Sequence, residues 1–212
     1  MLRTSSISLI AEDALGLALG RRLVQEHDAL SVWRETNARG CGAIKRDIRK
    51  YDKMARSGFP VFALTDLDSR VCCRLLLDEW FDPRHGPHSD MLLRICVREA
   101  EAWLMADPGP LARLLRLPES RFPSRPEILT DPKRFLLNLA IHAPKRVRKG
   151  LLPARGSTAS IGVEYNELLC HLVATWNIGK AARRAPSLAK ARSRLNELAV
   201  RVRSMLVAPP IS

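Results

Sequence analysis

The feature that most constrains this chain is the repeated alternation of short apolar segments with amphipathic ones over its first half. Buried-strand patterns occupy residues 6–11, 30–36, 60–65 and 91–97. A segment with helical periodicity follows each of them. The helix after the second strand is predicted to have an apolar face of Ile44, Ile48, Tyr51 and Ala55. Ser69 is the predicted cap of the helix after the third strand. Strands and helices that alternate at this spacing are typical of βαβ units and a mostly parallel sheet. The sequence therefore predicts an α/β domain, a mostly parallel sheet flanked by helices, over residues 1–107.

Beyond residue 107 the sequence shows helical patterns only. One predicted helix has an apolar stripe of Tyr165, Leu168, Leu169, Leu172, Val173 and Trp176. Asp131 and Pro132 are an N-cap and first-turn pair for one helix. Ser187 is the predicted cap of a long last helix. We expect residues 108–212 to form a basic, all-helical extension packed on the α/β core. The four tryptophans lie on apolar faces and are interpreted as core residues.

The charge of the chain limits the class of partner. Its 35 Lys and Arg outnumber its 22 Asp and Glu, which gives a net charge of +13. An excess of this size attracts polyanions such as nucleic acid. No apolar run approaches the roughly 20 residues that span a bilayer, so no membrane association is expected. The five cysteines match no zinc spacing, and we interpret them as reduced thiols of a cytoplasmic protein.

Acidic residues follow three of the predicted strands. Glu12 follows the first, Asp66 and Asp68 follow the third, and Glu99 and Glu101 follow the fourth. Ligands of parallel sheets bind at the carboxyl ends of the strands, and alternate residues of an extended segment point to the same side. Carboxylates grouped in this way suit Mg²⁺ or Mn²⁺. The alternative is structural: the two aspartates cap the next helix, and Glu12 lies near the positive end of the first helix.

Two strings resemble known motifs at this point. ISLIAED, which ends with Glu12 and Asp13, and VFALTDLDS, which contains Asp66 and Asp68, resemble the Toprim domain. That domain is the catalytic module of topoisomerases, primases and the overcoming-lysogenization-defect nucleases. It has a Glu after the first strand and a DxD motif after the third.

The wider chain is similar to a small stand-alone bacterial family of Toprim character. The similarity rests on a glycine pair, on the segment REAEAWLMAD, on a DPK element and on a GxEY-like element. These are Gly40 and Gly42, residues 98–107, residues 131–133 and residues 162–165.

The resemblance implies roles for individual residues. Glu12 would be a general acid/base or a metal ligand, Asp66 and Asp68 would bind Mg²⁺, and Glu101 matches the family's acidic position better than Glu99. Toprim proteins of this kind often work beside an ATPase, so the resemblance also implies an ATPase partner. Nuclease-type members often carry EGxxE after the first strand, whereas this chain has Asp13 and Gly16 at the second and fifth positions. The chain therefore lacks two of the three defined residues of that pattern.

A basic segment follows the α/β region. No acidic residue occurs between positions 132 and 163, and the stretch at residues 143–160 is predicted to be an exposed basic loop. Such a loop can contact nucleic-acid phosphates without reading sequence. The alternative is that these charges only solvate helix faces. The candidate nucleic-acid-binding residues are Lys133, Lys145, Arg146, Arg148, Lys149 and Arg155.

Two functions remain open from the sequence. The first is a metal-dependent nuclease in a phage-defence or mobile-element system. Here Asp66 and Asp68 hold the ion, Glu12 is a base or second-metal ligand, Glu99 is a further metal ligand, and Glu101 is a supporting catalytic residue. The second is a non-catalytic subunit that binds nucleic acid or a partner and keeps a degenerate Toprim site.

Overall fold

The computed structural model of the protein describes residues 5–207, with side chains as far as residue 204. It contains one four-stranded sheet with the strand order β2-β1-β3-β4. All four strands are parallel, and helices flank the sheet. The α/β class predicted from the sequence is therefore confirmed. The strands are β1 (Ser5–Ala11), β2 (Leu30–Asn37), β3 (Val61–Asp66) and β4 (Met91–Cys96).

Helices make up most of the remaining described chain. In the described part beyond residue 107 there is no strand, as the sequence predicts. No helix in the described range is long and apolar enough to cross a membrane. The helices are α1 (Ala14–Val24), α2 (Cys41–Arg56), α3 (Cys73–Trp80), α4 (Ala100–Ala106), α5 (Pro108–Leu115), α6 (Pro132–Ala140), α7 (Lys145–Leu151), α8 (Tyr165–Val173), α9 (Ile178–Ala182) and α10 (Pro186–Val207), with short 3₁₀ turns at Glu119–Arg121 and Pro126–Ile128.

Local sequence explains where several helices begin. The Asp13 carboxylate accepts the Gly16 N–H at 2.8 Å and so caps α1. The Asp131 carboxylate accepts the Arg134 N–H at 2.7 Å, with Pro132 at the first position of α6, as predicted. Helix α2 buries its predicted apolar face of Ile44, Ile48, Tyr51 and Ala55.

Contacts divide the chain into two compact units. Of the described residues, the first unit holds residues 5–65, 70–95 and 190–207, and the second holds residues 66–69 and 96–189. The core of the first unit forms where strands meet helices and includes Leu9, Ile44 and Phe62. The core of the second unit is helical and is built around Trp103 and Trp176, which are almost fully buried.

Two predicted helix caps are wrong. Helix α3 begins at Cys73, not after Ser69, because the chain first makes a turn in which Asp68 has a positive φ of 52°. Helix α10 begins at Pro186, whose fixed φ suits the first turn. Ser187 therefore lies inside the helix, and its N–H donates to the Glu127 carboxylate at 3.0 Å.

Two further expectations need correction. The predicted basic loop at residues 143–160 contains α7, which begins directly after Pro144, so only its second part is irregular. Trp33 is not a core residue: it is 52% exposed. It lies on the edge strand β2, at the register shift in the pairing of β2 with β1, where Val32 is opposite Ile7 and Arg34 is opposite Ser8. Trp80, Trp103 and Trp176 are buried, as expected.

Candidate functional site

Glu12 lies in the first unit, directly after β1. Parallel pairing of β1 with β3 places Ala11 opposite Leu64. The next residues on the two strands, Glu12 and Thr65, are therefore neighbours, and the Thr65 hydroxyl donates a hydrogen bond to the Glu12 carboxylate. The sequence places Glu12 correctly at a strand end. Its role as base or metal ligand stays a prediction.

Gly16 explains one departure from the EGxxE pattern. A Cβ atom at Gly16 would lie 2.9 Å from the Ala11 Cβ, closer than such atoms approach in folded proteins. Helix α1 thus packs against β1 with no room for the glutamate that the pattern expects. The other departure, Asp13, is used as the helix cap. The position of Gly16 therefore supplies no metal ligand, while one oxygen of the Asp13 carboxylate is bound to the start of α1.

Asp66 and Asp68 belong to the second unit. Asp66 is the last residue of β3, and Asp68 lies in the turn that follows the strand. The Asp66 carboxylate accepts the N–H of Ala100, the first residue of α4, at 2.9 Å. The Asp68 N–H donates to the Arg98 carbonyl at 3.0 Å, and the Arg98 guanidinium donates to the Asp68 carbonyl at 3.1 Å. These bonds fix the loop after β3 against the segment that follows β4. Asp68 remains exposed to solvent.

The sequence argument for pairing Asp66 with Asp68 is wrong in its geometry. It assumed an extended segment, in which alternate side chains share a side. Asp68 instead has a left-handed φ of 52° and lies in a turn. Asp66 ends β3 and Asp68 lies in the turn after it, so the alternation of an extended strand does not orient the two carboxylates together.

Glu101 is the most deeply buried carboxylate near these strand ends, with 1% of its surface exposed. It lies in the first turn of α4 and accepts the Tyr165 hydroxyl at 2.8 Å. The Lys133 ammonium lies 3.5 Å from the same carboxylate oxygen. A buried carboxylate needs a cation and hydrogen bonds to remain ionised, and Glu101 has both.

Glu99 joins the same network through the backbone. Its carboxylate accepts the Lys133 N–H at 2.7 Å. Burial raises the pKa of the Glu99 carboxyl, and the neighbouring Glu101 charge raises this pKa further. The hydrogen bond from the Lys133 backbone and the positive charge of Lys133 act in the opposite direction. Lys133 thus binds one glutamate by its side chain and the other by its main chain.

Three motifs that are distant in sequence meet in this network. Glu101 comes from residues 98–107, Lys133 from residues 131–133 and Tyr165 from residues 162–165. All three segments lie in the second unit. The roles of Tyr165 and Lys133 as partners of Glu101 could not be inferred from periodicity, which placed Tyr165 on an apolar helix stripe. The only sequence signal was the GxEY-like and DPK elements themselves.

The candidate nucleic-acid-binding residues divide between two places. Lys133 belongs to the acidic network, and its side chain is one-third exposed. The others lie on α7 or in the loop after it, and all are exposed to solvent. They are Lys145, Arg146, Arg148, Lys149 and Arg155.

The carboxylates are chemically suited to a hard cation but do not form a complete cage. Among residues 5–204, no group of three or more His, Cys, Asp or Glu side chains is positioned to hold a metal ion. Mg²⁺ does not require such a group, because it commonly binds one or two carboxylates and completes its shell with water and substrate phosphate. Asp66 and the exposed Asp68 have carboxylate oxygens of the kind that such a partial site uses.

Comparison with protein-family models, curated proteins and solved structures finds no significant match to this chain.

Proposed function

We propose that this protein is a Toprim-like, metal-dependent phosphodiesterase that acts on nucleic acid. The observation that carries the proposal is that one compact unit contains two sets of charges. The first set is Asp66, Asp68, Glu99 and the buried Glu101, and the second is the cations of α7 and its following loop. Carboxylates supply metal ligands, while Lys and Arg side chains bind the phosphate backbone. A phosphodiesterase of nucleic acid needs both.

Each residue has a defined part in the proposal. Asp66 and Asp68 would hold one Mg²⁺ or Mn²⁺ ion together with the substrate phosphate. The ion, when bound, would neutralise charge that develops on the phosphate during cleavage. Lys133, held against Glu101, would add a fixed positive charge, since a cation of restricted mobility stabilises a transition state at little reorganisation cost. Tyr165 holds Glu101 in place.

The cellular setting is also a proposal. By the same resemblance, we propose a phage-defence or mobile-element system in which an ATPase partner works beside this chain. The net charge of +13 fits a nucleic-acid substrate. The role of Glu12 is a separate prediction, which the single variant Glu12→Gln tests.

Cleavage of a mixed panel tests the proposal. Plasmid, single-stranded DNA and RNA are incubated with Mg²⁺ or Mn²⁺ and with wild type or Asp66→Asn/Asp68→Asn. Asparagine keeps an acceptor for the Ala100 N–H, so the loop is retained while the charge is lost. Metal-dependent cutting by wild type, with no cutting by the double variant, supports the proposal. Equal cutting by both proteins would mean that these aspartates are not the site.

A second candidate function is binding of nucleic acid without cleavage. It is favoured by two observations: the lack of a three-residue metal group among the described side chains, and the packing that excludes a glutamate at Gly16. Salt-sensitive DNA binding that is indifferent to Mg²⁺, together with no cutting in the presence of the cellular partner, would support this candidate over the nuclease.

A further inference from the structure

A cleft of about 570 Å³ lies beside the basic residues of the second unit. Its volume is within the range of small-molecule sites. Three cations line it, and its wall contains no acidic side chain. The remaining wall is largely apolar. The cations are Arg148, Lys149 and Arg155, and the apolar residues are Leu152, Pro153, Ala154, Ala159, Ile161 and Val163.

The backbone at the base of this cleft is closely packed. The Gly162 N–H donates to the Leu151 carbonyl at 2.8 Å, and the Glu164 N–H donates to the Gly150 carbonyl at 3.1 Å. A Cβ atom on Gly162 would lie only 2.2 Å from the Gly150 carbonyl oxygen. The loop after α7 therefore returns to the end of the same helix. This close packing holds the apolar and basic residues of the loop and of α7 around the cleft.

Apolar side chains at the cleft remain open to solvent. Val163 is 97% exposed, and Ile161 is partly exposed. A phosphate group alone would be satisfied by the cations and would leave these apolar surfaces in water. A ligand that joins a phosphate to a flat apolar ring would cover both, and nucleotides have this composition. Nucleic-acid-binding proteins commonly place bases against apolar side chains and Arg planes.

We infer that the cleft binds one unpaired nucleotide of a nucleic-acid strand. Its phosphate contacts Arg148, Lys149 and Arg155, and its base packs on Ile161 and Val163. The inference rests on the proposed nucleic-acid function and narrows its substrate class to strands with an unpaired or extruded nucleotide. The sequence predicted contact with the phosphate backbone of nucleic acid alone, and the inference adds contact with a base.

Two matched substitutions test the cleft in the full chain. Val163→Ser removes an exposed apolar side chain from the cleft, whereas Ile128→Ser removes one that is 68% exposed and lies outside it. Neither is buried, so both proteins should fold.

With EDTA present to prevent cutting, we expect Val163→Ser to weaken binding of a single-stranded oligonucleotide about fivefold, without weakening binding of a blunt duplex. Ile128→Ser should bind both as wild type does. Equal effects of Val163→Ser on single strand and duplex, or no effect on either, would overturn the inference.

A second measurement separates this inference from the proposed function. A nucleoside monophosphate and inorganic phosphate are titrated separately while methyl NMR signals of Ile161 and Val163 are followed. Shifts with the nucleotide at concentrations where phosphate gives none support the cleft, even if no nucleic acid is cut. Identical shifts with both ligands, or none with either, contradict it. If the protein nevertheless cuts nucleic acid, the inference about the cleft fails while the proposed nuclease function remains supported.

Discussion

At the scale of single residues, the buried Glu101 has the clearest physical account. Its carboxylate is removed from water, so its charge must be offset within the protein. The Tyr165 hydroxyl at 2.8 Å and the Lys133 ammonium at 3.5 Å provide that compensation. Both partners are far away in sequence, and each belongs to a different motif. The network therefore connects α4, α6 and α8 as well as holding a charge.

Tyr165→Phe should lower the free energy of unfolding by about 1.5–3 kcal/mol, the usual contribution of a hydrogen bond to a charged group. Tyr51→Phe is the control: Tyr51 is also buried, and the structure shows no hydrogen bond of its hydroxyl to any described residue. We expect the control to change stability by less than about 0.5 kcal/mol. Urea denaturation measures both. Equal losses in the two variants would mean that the Glu101 contact contributes little.

The pKa of Glu127 predicts a pH dependence. Burial raises the pKa of this carboxyl, although hydrogen bonds from Ser187 partly offset the rise. A raised folded-state pKa favours the protonated form. Stability contributed by this group is therefore complete below the ordinary glutamate pKa of about 4.3, and it is lost as the pH rises through the raised value.

Glu127→Gln removes this titration and keeps an acceptor for Ser187. The unfolding free energy of Glu127→Gln minus that of wild type should therefore increase as the pH rises from about 4 to about 7. Chemical denaturation at several pH values gives the difference. A difference that stays constant over this range would show that Glu127 does not titrate differently in the folded and unfolded states.

At the scale of elements, the strands were predictable because their signal is local. Apolar runs such as residues 60–65 are buried on both faces of a parallel sheet, and their sequence alone shows this. The cap of α3 was not predictable, since Asp68 takes a left-handed φ that its residue type merely tolerates. The Glu101–Tyr165 contact was not predictable either. It joins residues 64 apart, and the burial of its carboxylate arises only once the helices pack.

The junction between Gly150 and Gly162 makes a prediction about an element. Gly162→Ala places a Cβ atom 2.2 Å from the Gly150 carbonyl oxygen, so the loop after α7 must shift. We expect a loss of at least about 2 kcal/mol, the cost of a severe backbone clash. Gly42→Ala is the control: it lies in α2 with no atom near its added Cβ, and it should stabilise by up to about 1 kcal/mol. Thermal unfolding distinguishes them, and similar melting temperatures would contradict the described packing.

At the scale of the whole molecule, the net charge of +13 gives general attraction to polyanions but does not identify a surface. Two basic groups are available for comparison. One comprises Arg148, Lys149 and Arg155 at the cleft, in the second unit. The other comprises Arg49, Lys50 and Lys53 on α2, in the first unit. Removing either group changes the net charge equally.

Replacing each group of three by Gln separates local from general attraction. The cleft triple variant should reduce the salt dependence of oligonucleotide affinity, lowering the slope of log K against log salt by about 2 for single strands. The α2 triple variant should leave the slope near that of wild type. Fluorescence anisotropy at several salt concentrations gives both slopes. Equal reductions would show that net charge, and not the cleft, governs binding.

The most direct test of the central proposal is a Mn²⁺ titration followed by electron paramagnetic resonance. Wild type and the Asp66→Asn/Asp68→Asn variant are each titrated with and without a phosphorothioate oligonucleotide that resists cleavage. Each protein without the oligonucleotide, and the oligonucleotide without protein, serve as baselines. If Asp66 and Asp68 share the ion with a substrate phosphate, wild type with the oligonucleotide should bind Mn²⁺ at least about tenfold more tightly than either component alone. The double variant should show no such gain. Equal Mn²⁺ affinity in wild type and variant, with the oligonucleotide present, would contradict a metal site at these aspartates.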